Sequence, residues 1–139
     1  MQICTKKLTF GHDKEYGGKY ILMVDSELDL LNMIQRMFLF HGFKLCVFTE
    51  GLAALKHFSL NSKAHAMIIS DIRMPDVSDN EFVKQVKKIN PKVKLILTGN
   101  EEQLPPSGTS AHVDAFIKKP FSIETLRNIV QGYYQQEMT

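Results

Sequence analysis

Apolar residues in this chain gather into five short runs, and between the runs they recur every three or four positions. The runs are "KYILMVD" (19–25), "FKLCVFT" (43–49), "AHAMIIS" (64–70), "KVKLILT" (92–98) and "HVDAFIKK" (112–119). They are short and mostly apolar rather than alternating, which predicts strands covered on both faces. The segments between them carry the helical period. Residues 26–42 place Leu28, Leu31, Ile34 and Phe38 on one side, with Ser26 as the expected cap and Gly42 at the end. Residues 50–60 present Leu52, Leu55 and Phe58, and residues 79–90 present Phe82, Val83 and Val86 before Pro91 stops the helix. A last helix over 122–136 turns Ile123, Leu126, Ile129, Val130 and Tyr133 inward, with Ser122 as its cap.

The segment "GNEEQLPPSGTSA" begins like a helix, but Pro105 and Pro106 remove two amide donors. At most one or two helical turns are expected over 101–112, broken at Leu104 or Pro105. Five alternations of strand and helix, joined by short connections, predict an α/β fold: a doubly wound sheet of five parallel strands with helices on both faces. Residues 19–139 are read as one domain and residues 1–18, rich in Gly, Lys and Asp, as a flexible N-terminal arm.

Composition narrows the picture only a little. A chain of 139 residues, 44% hydrophobic and 23% charged, supports one ordinary core without staples. A net charge of +2, with lysines spread along the chain, argues against direct nucleic-acid binding. No apolar stretch is long enough to span a membrane. Cys4 and Cys46 suggest neither a disulfide framework nor a metal cluster, and a reducing cytosol suits them best.

Candidate chemistry appears when the strand ends are compared. In open parallel sheets, functional groups lie outside the carboxyl ends of the strands. Those positions hold Asp25, Ser26 and Glu27 after the first run, Asp71 after the third, Thr98 with Gly99 and Asn100 at the fourth, and Lys119 with Pro120 at the fifth. Singly, each has a structural explanation as a cap, a strand residue or a surface lysine. Together they suit phosphoryl transfer to a carboxylate. Asp71 would be the nucleophile, the Thr98 hydroxyl and Lys119 ammonium would meet phosphoryl oxygens, and acids nearby would hold a divalent ion.

Over residues 19 to 136 the chain resembles the chemotaxis-like receiver domain of two-component response regulators. The resemblance rests on "ILMVDSELDLL", "MIISDIRMPD", "LILTGN" and "AFIKKPF", in that order. It implies a flavodoxin-like receiver fold with Asp71 as phosphoacceptor, Thr98 and Lys119 as switch residues, and Phe116 as the aromatic switch position. It implies a magnesium site of Asp25, Asp71 and the backbone carbonyl of Arg73, with Ser26 or Glu27 as a further ligand. It also implies a cis peptide bond before Pro120.

Three features depart from the family pattern. Ser26 stands where a second acid normally ligates magnesium, so metal affinity is expected to be weakened. Asp79 replaces a glycine that tends to supply a positive φ. Pro105 and Pro106 interrupt the face on which receivers usually signal and dimerise. The implied partners are a sensor histidine kinase or phosphotransfer protein and an output partner, with the chain cytoplasmic and a monomer or weak dimer, and not a turnover enzyme. A pseudo-receiver that binds proteins without phosphorylation remains the alternative. A haloacid-type hydrolase would want an acid where Arg73 stands, and flavin binding has no support beyond the fold.

Overall fold

The structure, a computed structural model, describes residues 2–4, 19–100 and 111–138. The expected strands form as β2 (Tyr20–Val24), β3 (Lys44–Phe48), β4 (His65–Asp71), β5 (Lys94–Gly99) and β6 (Ala115–Lys118). Among the described residues, four α-helices lie between and after them: α1 (Leu28–Phe40), α2 (Gly51–Leu60), α3 (Asp79–Ile89) and α4 (Ile123–Met138). The five strands are parallel, in the order β3-β2-β4-β5-β6. That order reverses between β2 and β4, so their carboxyl ends open a crevice at the switch point.

One strand was not expected. Gln2–Cys4 forms β1, antiparallel to β3 at the sheet edge, with Cys4 opposite Cys46 in the register. This corrects the reading of residues 1–18 as an arm throughout. It also corrects the reading of the cysteines, because Cys46 is disulfide-bonded. The cause is topological: β3 is the outermost parallel strand, and its open edge accepts a further strand.

The sheet is covered on both sides. Ile21, Met23, Leu45, Val47, Met67 and Ile69 face α1 and α4, where Leu31, Ile34, Phe38, Leu126 and Val130 complete one cluster. Leu22, Val24, Phe48, Ile68, Leu95 and Leu97 face the other way and join Ala54, Phe58, Phe82, Val83 and Val86 of α2 and α3. Burial on both faces explains why the runs lack alternation.

Some local details differ from expectation. In α1, Leu28 is 36% exposed, and Ser26 is not the cap; Asp25 Oδ1 instead accepts from Glu27 N at 2.8 Å just before the helix. In α2 the buried positions are Gly51, Ala54 and Phe58, while Leu52 is 55% exposed. Asp79 has no positive φ: it is the first residue of α3, after Ser78, whose hydroxyl accepts from Glu81 N at 3.1 Å. Ser122 Oγ does accept from Thr125 N at 3.0 Å at the head of α4. Residues 101–110, with the two prolines, lie outside the described residues; Ala111 and His112 form a turn.

Candidate functional site

Each functional side chain is delivered by the end of a strand. Asp71 is the last residue of β4 and pairs in register with Thr98 of β5. The chain then turns, with Ile72 N donating to Thr98 O at 2.8 Å. Arg73 N donates to Asp71 Oδ1 at 3.0 Å, which fixes the carboxylate's orientation and leaves Oδ2 pointing at Lys119. Asp25 follows β2 and is tied by its own amide to Phe48 O at 3.1 Å.

Lys119 joins the two acids. Its Nζ donates to Asp25 Oδ2 at 2.7 Å and to Asp71 Oδ2 at 3.0 Å. Its backbone is held by Lys119 N donating to Gly99 O at 2.7 Å, and the following peptide, Lys119–Pro120, is cis. Asp25 is 1% exposed, so its charge is tolerable only because the ammonium and the Glu27 amide meet it. Burial by itself would lower the Lys119 pKa, but hydrogen bonds to Asp25 and Asp71 and their negative charges outweigh it and hold the pKa raised. The lysine is therefore a fixed cation between two carboxylates.

An open cavity of about 470 Å³ lies above this triad. Glu27, Asp71, Arg73, Asn100 and Lys119 supply its polar lining, and Leu30, Pro120 and Phe121 its apolar side. Thr98, beside Asp71 on the neighbouring strand, is 1% exposed and is not among the residues that line the cavity. Ser26 lines a separate groove with Arg73, Met74 and Asp79, so of the two adjacent candidates Glu27 is the one in the cavity with Asp71. Phe116 is half-buried against the cluster under α2 and α3 rather than in the cavity.

The donor set fits a hard divalent cation. Asp25 and Asp71 lie side by side across the Lys119 ammonium, and Glu27 and Arg73 line the cavity with Asp71, so carboxylate oxygens beyond those the ammonium takes are close together. Leu30 and Phe121 were not singled out from sequence. Phe121 follows the "KKP" motif directly, which was the available signal; Leu30 had none beyond its helical position.

Residues 21–131 match the family model described as the response regulator receiver domain. The chain is 35% identical over 105 residues to the response regulator SaeR of Staphylococcus epidermidis, a match covering 74% of this chain and 44% of that protein. It is 31% identical over 105 residues to SaeR of Staphylococcus aureus, covering 74% of this chain and 45% of that one. The chain thus matches less than half the length of these curated relatives. Among solved structures it is similar to a response regulator receiver domain protein from Clostridium thermocellum, with TM-score 0.77 and 20% identity, over 86% of this chain and 97% of that one. A CheY-like receiver domain protein from Methanospirillum hungatei gives TM-score 0.74 and 21% identity, over 86% and 96% of the two chains.

Proposed function

The chain belongs to the response regulator receiver family, and we propose that it works as one through phosphorylation of Asp71 by a sensor histidine kinase or a phosphotransfer protein. The observation that carries this reading is the Lys119 ammonium shared by Asp25 Oδ2 and Asp71 Oδ2, at 2.7 and 3.0 Å, beside an open cavity. Receivers are signalling modules, and this chain acts as a switch rather than as a turnover enzyme. A donor charged from ATP puts the reaction in the cytoplasm.

In the proposed transfer an Asp71 carboxylate oxygen attacks the phosphorus of a phosphohistidine. The new O–P bond forms as the P–N bond breaks, and the electron pair leaves with the imidazole. Arg73 N fixes Oδ1 and so aims Oδ2 at the cavity. The Lys119 ammonium, already positioned, pairs with a phosphoryl oxygen, and the Thr98 hydroxyl, on the neighbouring strand, donates to another. Asp25, Asp71, Glu27 and the Arg73 carbonyl would hold magnesium, which would neutralise phosphoryl charge. Moving Thr98 and Lys119 toward the phosphoryl group alters the carboxyl ends of β5 and β6. Phe116, on β6, carries that change toward an output partner.

The test is incubation of the chain with acetyl phosphate, with magnesium or with a chelator, followed by intact mass. One phosphoryl group per chain is expected with magnesium and none with the chelator or in Asp71→Asn, whose circular dichroism should match the wild type. A wild type that never takes up phosphate would favour a phosphorylation-independent binding module.

A further inference from the structure

On the α2 side of the sheet, three potential ligands meet that the phosphoacceptor site does not use: Cys46, level with Ile68 in the middle of β4, and His57 and His65. His65 is the first residue of β4 and Asp71 the last, which separates them by about 20 Å at the usual strand rise. His57 lies in the last turn of α2, and Cys46 is in β3. One ligand atom from each of Cys46, His57 and His65 lies within 4.8 Å of the others. His65 is 2% exposed and Cys46 3% exposed, while His57 is half-buried and opens the group to solvent.

The two imidazoles face each other. His57 Nε2 and His65 Nε2 are 2.9 Å apart, so one proton is shared between them. Asn61 Nδ2 lies 3.5 Å from His57 Nδ1 and donates to His57 O at 2.9 Å, which orients that ring. The Tyr20 backbone lies beside the His65 imidazole, whose Nδ1 is buried without a well-formed hydrogen bond among the described residues. The surroundings are apolar: Phe48 is 5.2 Å from the His57 ring and Phe58 is 6.1 Å from the His65 ring, centroid to centroid. Burial, then the neighbouring His57, hold the His65 pKa down to about 4, and burial lowers that of His57. Both rings are therefore neutral near pH 7, the form in which imidazole binds a metal.

We propose that the reduced chain binds zinc through Cys46 Sγ, His57 Nε2 and His65 Nε2, and that the disulfide state of Cys46 gates this site. Zinc suits a donor set of one sulfur and two imidazole nitrogens, at about 2.3 Å to sulfur and 2.0–2.1 Å to nitrogen. Tetrahedral bonds of that length put the two Nε2 atoms about 3.3 Å apart and each about 3.5 Å from the sulfur, so the rings separate by a few tenths of an ångström and Cys46 Sγ, released by reduction, turns toward them. A metal ion would take the place of the shared proton, with water in the fourth position. Cys46 is disulfide-bonded in the structure. A dithiol reductant gives two electrons and two protons to that bond, leaving two thiols and becoming a disulfide itself. Cys46 then loses its thiol proton as the S–Zn bond forms. The gate would act on β3, whose Phe48 carbonyl, two residues past Cys46, accepts the Asp25 amide.

The experiment uses the whole chain, reduced with a non-thiol phosphine or oxidised, in millimolar magnesium so that the carboxylate cavity does not report. Bound zinc is counted by elemental analysis after gel filtration, and cobalt(II) is added separately to look for a thiolate-to-cobalt charge-transfer band. About one zinc per reduced chain is expected, with the cobalt band present, and at least a tenfold loss of affinity on oxidation, in Cys46→Ala and in His57→Gln. His57 is half-buried at a helix end, so His57→Gln should fold normally by circular dichroism. Absence of stoichiometric zinc in the reduced wild type would overturn the proposal. Equal zinc retention by the oxidised protein or by folded His57→Gln would overturn it as well.

Discussion

Lys119 Nζ lies 2.7 Å from Asp25 Oδ2, an ion pair between residues 94 positions apart that closes the carboxyl edge of the sheet. It is paired at the same time with Asp71 at 3.0 Å. Asp25 is 1% exposed, so the pair lies largely out of water and its members are not interchangeable with surface charges. Any phosphoryl group placed on Asp71 competes with Asp25 for this one ammonium. The competition links the chemistry at β4 to the positions of β2 and β6.

Among the described residues, removing the ammonium leaves the buried Asp25 carboxylate with the Glu27 amide alone to meet it. Lys119→Met is expected to cost about 1.5–3 kcal/mol, the usual range for hydrogen bonds to charged groups. Millimolar magnesium should restore part of that loss, because it again neutralises the converging carboxylates. Urea unfolding with and without magnesium measures both effects. A loss below about 0.5 kcal/mol, typical of an exposed pair, would contradict the burial argument.

The same pair predicts an alkaline limit. The folded pKa of Lys119 is raised above its ordinary value, so its contribution is fully present below that ordinary value, about 10.4. The contribution is lost as pH rises through the folded value. Wild-type stability should therefore fall more steeply above pH about 10 than that of Lys119→Met. Parallel pH profiles of the unfolding midpoint for the two proteins would count against it.

Glu27, not Ser26, shares the cavity with Asp71. Glu27→Gln removes an exposed carboxylate from the edge of the magnesium site. In solvated surroundings this should weaken magnesium about three- to tenfold, on the order of 0.7–1.4 kcal/mol. Titration by nuclear magnetic resonance at fixed ionic strength reads the constant. An unchanged affinity would leave the site to Asp25, Asp71 and the main chain alone.

The loop after Asp71 is fastened to α2. Asp76 Oδ1 accepts from Gly51 N at 3.0 Å and Oδ2 from Leu52 N at 2.9 Å, so this carboxylate serves the head of a helix in another part of the chain. Asp76→Ala should cost about 0.5–2 kcal/mol, as loss of a helix cap does. A Cβ on Gly51 would overlap Val77 Cγ1 and come within 3.3 Å of Asp76 Oδ1. Gly51→Ala should therefore be destabilising, and adding Val77→Ala should recover much of the loss. Additive effects in that double-mutant cycle would show that the contact is not the cause.

The alternation of apolar runs with helical spacing was enough to read the five parallel strands, because burial on both faces leaves a strong signal in each run. The convergence of Asp25, Asp71 and Lys119 followed from topology, since parallel strands end at one edge. Other features had no local signal. Gln2–Cys4 is three residues long and owes its place to the open edge of β3. In α2, Leu52 looks like a core residue by type, yet Gly51 is buried because the loop through Asp76 and Val77 approaches closely there, and Ala54 because it faces the core between the sheet and α3. His57 and His65 stand in different elements, and only the fold brings their rings together.

Borohydride trapping tests the central claim most directly. An aspartyl phosphate is reduced by borohydride to homoserine, whereas an unmodified carboxylate is not. After treatment with acetyl phosphate and magnesium, the account predicts homoserine at position 71 by peptide sequencing, and at no other acid. An intact aspartate at 71 in protein that has taken up phosphate, or homoserine at another position, would contradict it.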